Sequence, residues 1–310
     1  MSKSGGDRIV VMKAGTALAL VGFCIPAAAF ADMERALARL AEEAGVLAGA
    51  AKNTIGQETL RQRAIKPRPR FRLRVGEAAR RPIAVEYQNR EIVSEYGFTS
   101  FEDNPNSLHE IRQVVAVDGR EAGAPGKVRE TLAFGLASAS DRKKKKMLEE
   151  FEKRGLIGAV INFGQILVLF EKRHLPNYSF KPEGRAMLGA ETALVFSFEQ
   201  VEGPDSMTIF AGREVIRQKL QGSVWVREMD YLPLRIVLTG SREAGKHTIT
   251  WQGSVDYAMS RFGVLLPASV VYREQVEGIL ITENRFHYSD FRQFGAQSDL
   301  KFEIEPEAPR

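Results

Sequence analysis

The stretch that most constrains the fold runs from residue 247 to residue 257, where the side chains alternate strictly. One face would carry His247, Ile249, Trp251, Gly253, Val255 and Tyr257, and the other Thr248, Thr250, Gln252, Ser254 and Asp256. A period of two is that of a half-buried β-strand and not of a helix. The pattern therefore predicts a sheet with one covered face and one solvated face.

Segments of the same kind recur along the chain from Gln221 to Phe291. They are separated by short breaks at residues 231–233, 242–245 and 277–278, each of which contains proline or glycine. Breaks of this length join antiparallel neighbours as hairpins. We therefore predict an antiparallel meander here, with further strands in residues 89–118, 178–180, 192–200 and 207–210.

Helical periodicity appears in two places outside the meander. Residues 32–52 would align Leu37, Leu40, Ala44 and Leu47, and residues 128–154 contain Leu132, Leu136 and Phe151. Such apolar stripes need a partner, and the open face of the sheet is the natural one. The predicted fold class is α+β, an antiparallel sheet covered by N-terminal and central helices. Residues 156–170 are too apolar for periodicity to decide between a strand and a buried helix.

The N-terminus has the pattern of a secretory signal. Lys3, Arg8 and Lys13 precede an almost wholly apolar run, and a small-x-small triplet ends at Ala31. This pattern predicts cleavage after residue 31 and export of the chain; an uncleaved anchor is the alternative, because about 20 apolar residues span a bilayer. The single cysteine, Cys24, lies inside the signal, so the mature chain would have no disulfide and no thiol nucleophile.

Residues 61–81 are strongly basic and contain a single acid, Glu77. Pro67 and Pro69 interrupt helix and sheet alike, so the segment is predicted to be a solvated loop. The alternative is contact with anionic lipid headgroups, to which each cation would contribute on the order of 1 kcal/mol. The candidate headgroup-contacting residues are Arg68, Arg70, Arg72 and Arg74. Without a nucleic-acid-binding motif, no nucleic-acid partner is expected.

No residue pattern indicates catalysis. The histidines His109, His174, His247 and His287 lack metal-ligand spacing. Glu228 and Asp230 are two apart and could share a strand face as paired acids, but exposed carboxylates beside a turn are the simpler interpretation. We therefore predict no metal site, no cofactor and no enzymatic activity.

Aromatic residues are concentrated in the meander, and they supply the candidate binding site. A sheet face that carries such side chains must be covered by the chain or be offered to an apolar ligand. The candidate lining residues of this apolar cavity are Trp225, Trp251, Val255, Tyr257, Tyr272, Phe286 and Tyr288. Both possibilities stay open on the sequence alone.

Several short segments give the chain a resemblance to a known family. They are residues 222–226 (GSVWV), 232–236 (LPLRI), 288–292 (YSDFR), 58–63 (ETLRQR) and 90–96 (REIVSEY). With its export signal, N-terminal helix and long meander, the chain resembles the LolA/LolB-like lipoprotein-carrier superfamily, in particular outer membrane lipoprotein-sorting protein-like chains. The resemblance implies an open half-barrel whose helices cover an apolar concavity for acyl chains, and a periplasmic location.

These observations define the expected organisation. Residues 1–31 would be the signal, residues 32–300 one half-barrel-like domain with a basic loop at 61–81 and a helical insertion at 126–155, and residues 301–310 a flexible tail. The expected function is non-catalytic binding of lipid, acyl chains or lipoprotein, with a possible anionic membrane surface as a second partner. The alternative is an envelope scaffold or RseB-like sensor with a sealed core, which binds another protein through the sheet.

Overall fold

The computed structural model describes residues 27–67, 85–102, 104–138, 140–153, 156–157, 162–203, 207–211 and 214–293. The helices are α1 (Ala27–Ala51), α2 (Pro125–Ala137) and α3 (Asp141–Glu152), with short 3₁₀ helices at Ile166–Phe170 and Leu175–Asn177. The strands are β1 (Thr54–Ile65), β2 (Tyr87–Phe101), β3 (Asn104–Val117), β4 (Arg120–Glu121), β5 (Tyr178–Leu188), β6 (Glu191–Gln200), β7 (Met207–Ala211), β8 (Glu214–Gln218), β9 (Gln221–Arg227), β10 (Pro233–Ala244), β11 (His247–Met259), β12 (Leu265–Val276) and β13 (Ile279–Gln293).

Within the described residues, eleven of these strands form one antiparallel sheet. Its order is β4-β3-β2-β1-β13-β12-β11-β10-β9-β6-β5, and β7 and β8 form a separate hairpin. The predicted meander is therefore confirmed, since β9 to β13 lie side by side in chain order. β1 pairs with β13 and joins the N-terminal strands to the meander. The sheet does not close on itself, so the predicted open half-barrel of the α+β class is confirmed as well.

The hairpin turns follow from local residue chemistry. Asp118-Gly119 and Glu277-Gly278 join consecutive strands with two residues at positive φ, between 49° and 78°. This is the geometry of a type I′ turn, whose twist matches that of the flanking strands and which favours glycine at its second position. The two turns fix the register of β3 with β4 and of β12 with β13.

The two faces of the sheet differ as the alternation predicts. On β11, residues Ile249, Trp251, Gly253, Val255 and Tyr257 are buried, and most intervening residues are half-buried or exposed. We call the face with these buried residues the inner face and the opposite one the outer face. α1 packs on the inner face, where its buried residues belong to the same core as those of the sheet. These α1 residues are Ala36, Leu40, Ala44, Leu47 and Ala51.

The central helices also pack on the sheet, and α2 lies on the face opposite to α1. Leu132 and Leu136 of α2 pack against Ile55 and Ile111 in a second apolar cluster that also includes Met147 of α3. Ile55 and Ile111 both pair across strands with Gly97, so this cluster lies on the outer face. Leu132 and Leu136 therefore do not lie over Trp251, whereas Phe151 of α3 belongs to the core of the inner face. Helical periodicity identifies an apolar stripe but not the sheet face that receives it.

The predicted basic loop begins later than expected. Strand β1 continues through Ile65, so Arg61 and Arg63 are strand residues. Arg61 pairs with Glu91 at 2.9 Å, and the Arg63 guanidinium lies 4.2 Å from the centre of the Tyr87 ring. Cross-strand partners on β2 thus allow two cations to sit in a strand. The candidate headgroup residues Arg68, Arg70, Arg72 and Arg74, residues 1–26 of the predicted signal, and the predicted tail lie outside the described residues.

Candidate functional site: the covered inner face

Six of the seven candidate cavity residues lie together on the inner face. Trp251, Val255 and Tyr257 lie on the same face of β11, with Gly253 between Trp251 and Val255. On the neighbouring strands, Tyr272 pairs with Gly253, Phe286 pairs with Val270 next to Val255, and Tyr288 pairs with Glu58. All six are buried, with exposures of 0–6%.

Trp225 is the exception. Val224 and Val226 of β9 point to the inner face and are buried, so Trp225 between them lies on the outer face, where its Nε1 donates to Ser223 Oγ at 3.1 Å. The prediction that Trp225 lines the inner concavity was therefore wrong. Occurrence in the meander does not decide which face receives an aromatic side chain, whereas the alternation within β9 assigns Trp225 to the outer face.

The inner face is covered by a segment that the sequence left undecided. Residues 162–170, which we call the plug, contain a loop followed by the 3₁₀ helix Ile166–Phe170. Phe163 is 1% exposed, and its ring centre lies 5.5 Å from that of Tyr272 and 6.4 Å from that of Trp251. The ring rests on Gly253, because a Cβ at that position would lie 2.8 Å from Phe163 Cζ. Gly253 thus leaves an aromatic-walled slot, and Phe163 fills it.

Polar contacts hold the plug against the sheet. Arg112 Nη1 donates to Asn162 Oδ1 at 2.6 Å, and the Leu167 backbone N–H donates to the Tyr257 hydroxyl at 3.1 Å. Gly164 approaches β2 so closely that a Cβ would lie 2.7 Å from the Tyr96 hydroxyl. The plug is therefore fixed at three points along its length.

A buried charge cluster lies at the Arg112 end of the plug. Arg112 Nε donates to Glu58 at 2.7 Å and its Nη2 to Glu110 at 2.6 Å, and each of these residues is at most 3% exposed. The guanidinium also lies 5.1 Å from the ring centre of Phe151 and 5.6 Å from that of Phe286. Removing one partner of such a buried pair typically costs about 3–5 kcal/mol, because the other charge stays buried.

Burial changes the protonation equilibria of this cluster. The pKa of Glu110 is raised because burial disfavours its charged form, although Arg112 opposes the shift. The pKa values of Tyr96 and Tyr288 lie well above the usual value, mainly through burial and then through Glu110 and Glu58 respectively. Both phenols therefore stay neutral at physiological pH. Arg112 stays charged, because the two carboxylates favour its protonated form despite burial.

α1 also covers the inner face, and a hydrogen bond near its N-terminus holds it to the turn after β9. The Tyr231 hydroxyl donates to Asp32 Oδ1 at 2.9 Å. Further along, Glu43 is buried and accepts from Arg39 at 2.6 Å, and burial raises its pKa. The aromatic wall is thus enclosed by two separate pieces of chain, the plug and α1.

Glu58, Glu110 and Arg112 are not among the candidate site residues predicted from the sequence. Their signal was present: each stands at an inward position of an alternating strand, where an apolar residue is the usual choice. The strand alternation alone identifies them as buried charged residues, but it does not show which of them form ion pairs.

The remaining candidate acids are surface residues. Glu228 and Asp230 lie beyond the end of β9, where Glu228 accepts from Arg185 at 2.6 Å and Asp230 from Arg227 at 3.1 Å. His247 is exposed and lies 3.2 Å from Glu277. Among the described residues, no group of three or more histidine, cysteine or acidic side chains is arranged to hold a metal ion. In the same ranges, none of the helices has the length and apolar character needed to cross a bilayer.

Comparison with known proteins gives structural similarities only. No protein-family model matches the chain, and no curated protein matches it. The chain is similar to the structure of a LolA superfamily protein from Nitrosomonas europaea (10% identity, 83% of this chain and 92% of that chain covered, TM-score 0.30). It is similar to a putative outer membrane lipoprotein-sorting protein domain from Vibrio parahaemolyticus (11% identity, 86% and 95% covered, TM-score 0.31) and to a DUF1329 family protein from Desulfovibrio piger (10% identity, 87% and 97% covered, TM-score 0.35). The first two carry the names that the sequence resemblance predicted.

Proposed function

We propose that this protein is a non-catalytic, exported envelope protein that binds acyl chains of lipid or lipoprotein on the inner face of its sheet. The observation that carries the proposal is the position of Phe163. Its ring occupies a slot formed by Trp251, Tyr272 and the missing side chain of Gly253. A slot that receives an apolar group from a separate segment is able to receive an apolar ligand once that segment leaves.

The energies of plug and ligand are comparable. Truncating a buried phenylalanine costs about 3–5 kcal/mol, which measures what Phe163 contributes to the covered form. Each methylene of an acyl chain gains about 0.8 kcal/mol on burial, so roughly four to six methylenes offset the loss of the Phe163 ring. A fatty acid of ordinary length carries more methylenes than that, and their burial would offset part of the cost of displacing the other buried plug residues, Ile166, Leu167, Val168 and Phe170.

The polar groups around the plug suit an exchange of this kind. Asn162 and the Leu167 amide are held by hydrogen bonds, and water can replace such partners when the segment moves out. We propose further that the cations of Arg68, Arg70, Arg72 and Arg74 contact an anionic headgroup or membrane surface. The proposed location is the periplasm, and the proposed unit is a single domain over residues 32–300.

Binding of a fluorescent fatty acid to the purified mature protein, with unlabelled palmitate as competitor, tests the proposal. We expect saturable, competed binding, and a Trp251→Phe variant that keeps the slot should bind with little change. Gly253→Leu fills the slot with a side chain and should abolish binding, while Gly45→Ala on the exposed side of α1 is the matched control. Protein that purifies free of lipid by mass spectrometry and shows no competed binding would overturn the proposal.

The filled inner face favours a second candidate, a scaffold or RseB-like sensor that recognises another envelope protein. In the described conformation, Phe163 and α1 bury the aromatic wall completely, as a sealed core requires. Such a protein would use its sheet margins for the partner. Absence of acyl binding together with a stable complex with a second envelope protein would select this candidate over the first.

A further inference from the structure

Three exposed methionines lie at one margin of the sheet, each at or next to the tip of a hairpin. Met187 lies one residue before the end of β5, Met229 lies in the turn between β9 and β10, and Met259 is the last residue of β11. Their exposed fractions are 63%, 82% and 46% respectively. Large exposed apolar side chains that lie close together mark an interaction surface. We call these three hairpin tips the methionine margin.

The methionine margin is continuous along the sheet. Strands β12, β11, β10, β9, β6 and β5 are neighbours in that order. The starts of β6 and β10 both lie beside the end of β9, and β11 ends beside the start of β10, so the three tips share one margin. Successive tips are two strands apart, and with about 4.8 Å between strands they are spaced by roughly 10 Å and extend over roughly 19 Å. Thr192 links the first two tips, because its hydroxyl donates to Met187 Sδ at 3.6 Å and its carbonyl accepts from the Glu228 N–H at 3.0 Å.

The charged side chains between the first two tips are balanced in ion pairs. Arg185 Nε donates to Glu228 at 2.6 Å. Arg227 lies 3.3 Å from Glu191 and 3.1 Å from Asp230. The core of a protein–protein interface is a continuous apolar patch that is poor in charged residues, so these ion pairs do not suit one. The hydrated headgroup region of a bilayer, in contrast, accommodates charged groups beside apolar ones that reach deeper.

The apolar N-terminal run of the sequence reaches the domain at the same margin. Tyr231, in the turn between β9 and β10, donates its hydroxyl hydrogen to Asp32 of α1 at 2.9 Å. In the sequence, Asp32 directly follows residues 14–31, which carry no charge and have a length that can cross a bilayer. The bilayer is the surface that such a segment meets, either as a retained anchor or as a signal before cleavage. The domain is thus joined to its most apolar segment at the methionine margin.

From these features we infer that the methionine margin inserts into the surface of a lipid bilayer. The methionine side chain is unbranched and flexible, so it adapts to the irregular packing of acyl chains. Arg261, which is exposed beside Met259, adds a cation at the level of the headgroups. Because the other charges are balanced, the attraction comes mainly from the transfer of apolar surface out of water. This surface is separate from residues 68–74, for which we propose a charge-dependent contact with headgroups.

The test is flotation of the mature protein with vesicles of phosphatidylcholine. We expect the protein to float with these vesicles. In the triple variant Met187→Gln/Met229→Gln/Met259→Gln the partition coefficient should fall roughly tenfold or more, because glutamine keeps the side-chain length but has an amide in place of the apolar thioether. Ile279→Gln is the matched control and should leave the partition coefficient unchanged, since Ile279 is 49% exposed on the β12–β13 hairpin at the opposite margin.

Two further measurements separate the methionine margin from the sites of the proposed function. Gly253→Leu, which fills the acyl slot, should float as the unaltered protein does. Added salt should change the flotation little, whereas binding that requires phosphatidylglycerol in the vesicles and is lost in salt would assign the contact to the basic segment and contradict the inference. The inference is equally wrong if the protein does not float with phosphatidylcholine vesicles. It also fails if the triple variant floats as well as the unaltered protein while its melting temperature shows that the variant is folded.

Discussion

Replacing Phe163 with alanine should increase the affinity for fatty acids, although the residue is buried. In the covered form the ring is 1% exposed and packs between Trp251 and Tyr272. Its truncation should destabilise this form by about 3–5 kcal/mol relative to a form in which the plug is detached. At about 1.4 kcal/mol per tenfold change, the detached population would rise by roughly two to three and a half orders of magnitude.

The affinity change follows from the population change. When only a fraction of molecules can bind, the apparent dissociation constant is the intrinsic one divided by that fraction. As long as the detached form stays a minority, Phe163→Ala should therefore lower the dissociation constant for palmitate by up to the same factor. The measurement is competition against a fluorescent fatty acid at constant temperature and salt.

Leu132→Ala supplies the control for a general loss of stability. Leu132 is fully buried in the outer-face cluster beneath α2, so its truncation should cost a similar amount, about 2–5 kcal/mol. Because that cluster does not contact the plug, the palmitate affinity should stay unchanged while the melting temperature falls. Equal affinities in Phe163→Ala and the unaltered protein, with both folded and binding palmitate, would refute the idea that Phe163 occupies the acyl site.

Three further predictions concern stability. Gly45 lies on the exposed side of α1, where an added Cβ meets nothing within 4 Å. Because alanine has the higher helix propensity, Gly45→Ala should raise the unfolding free energy by about 0.8–1 kcal/mol in urea titrations. A lower unfolding free energy would contradict the placement of α1. Glu283 accepts hydrogen bonds from Arg285 and Arg273, and these contacts lower its pKa. The ionised Glu283 carboxylate therefore stabilises the folded protein above the unfolded-state pKa, and this contribution disappears as the pH falls through the folded-state pKa. Glu283→Gln should thus destabilise the protein at pH 7 by about 1 kcal/mol and progressively less in acid; a pH-independent difference would rule out this linkage. Arg112→Met leaves two buried carboxylates unpaired, and thermal melts at pH 7 should show a loss of about 3–5 kcal/mol, with partial recovery at lower pH as Glu110 takes up a proton.

The sequence was most informative where one physical rule decides the outcome. The alternation at residues 247–257 determined both the strand and its buried face, because a shift of one residue would expose Trp251 and Val255. The glycine after Glu277 identified the turn, since few other residues tolerate its backbone angles. These features are local, so no knowledge of the partner strand was needed.

The sequence was least informative where the answer depends on which surfaces meet. Residues 162–170 are apolar apart from Asn162 and Gln165, so neither their 3₁₀ geometry nor the contact of Phe163 with Gly253 could be deduced from periodicity. The choice between the two sheet faces for α2 depended on Gly97 and on the apolar residues beside it on the outer face. Trp225 is the opposite case, because the alternation within β9 is enough to assign it to the outer face. Its assignment to the inner cavity followed from aromatic composition alone.

Hydrogen exchange at the Leu167 amide tests the central claim most directly. In the covered form this amide donates to the Tyr257 hydroxyl beneath the plug, at 3.1 Å. If an acyl chain replaces the plug, saturating palmitate should speed exchange at Leu167, while amides in the paired strands β12 and β13 keep their protection. Palmitate that binds saturably but leaves the Leu167 amide as protected as before would contradict the claim that the plug and the ligand share one site.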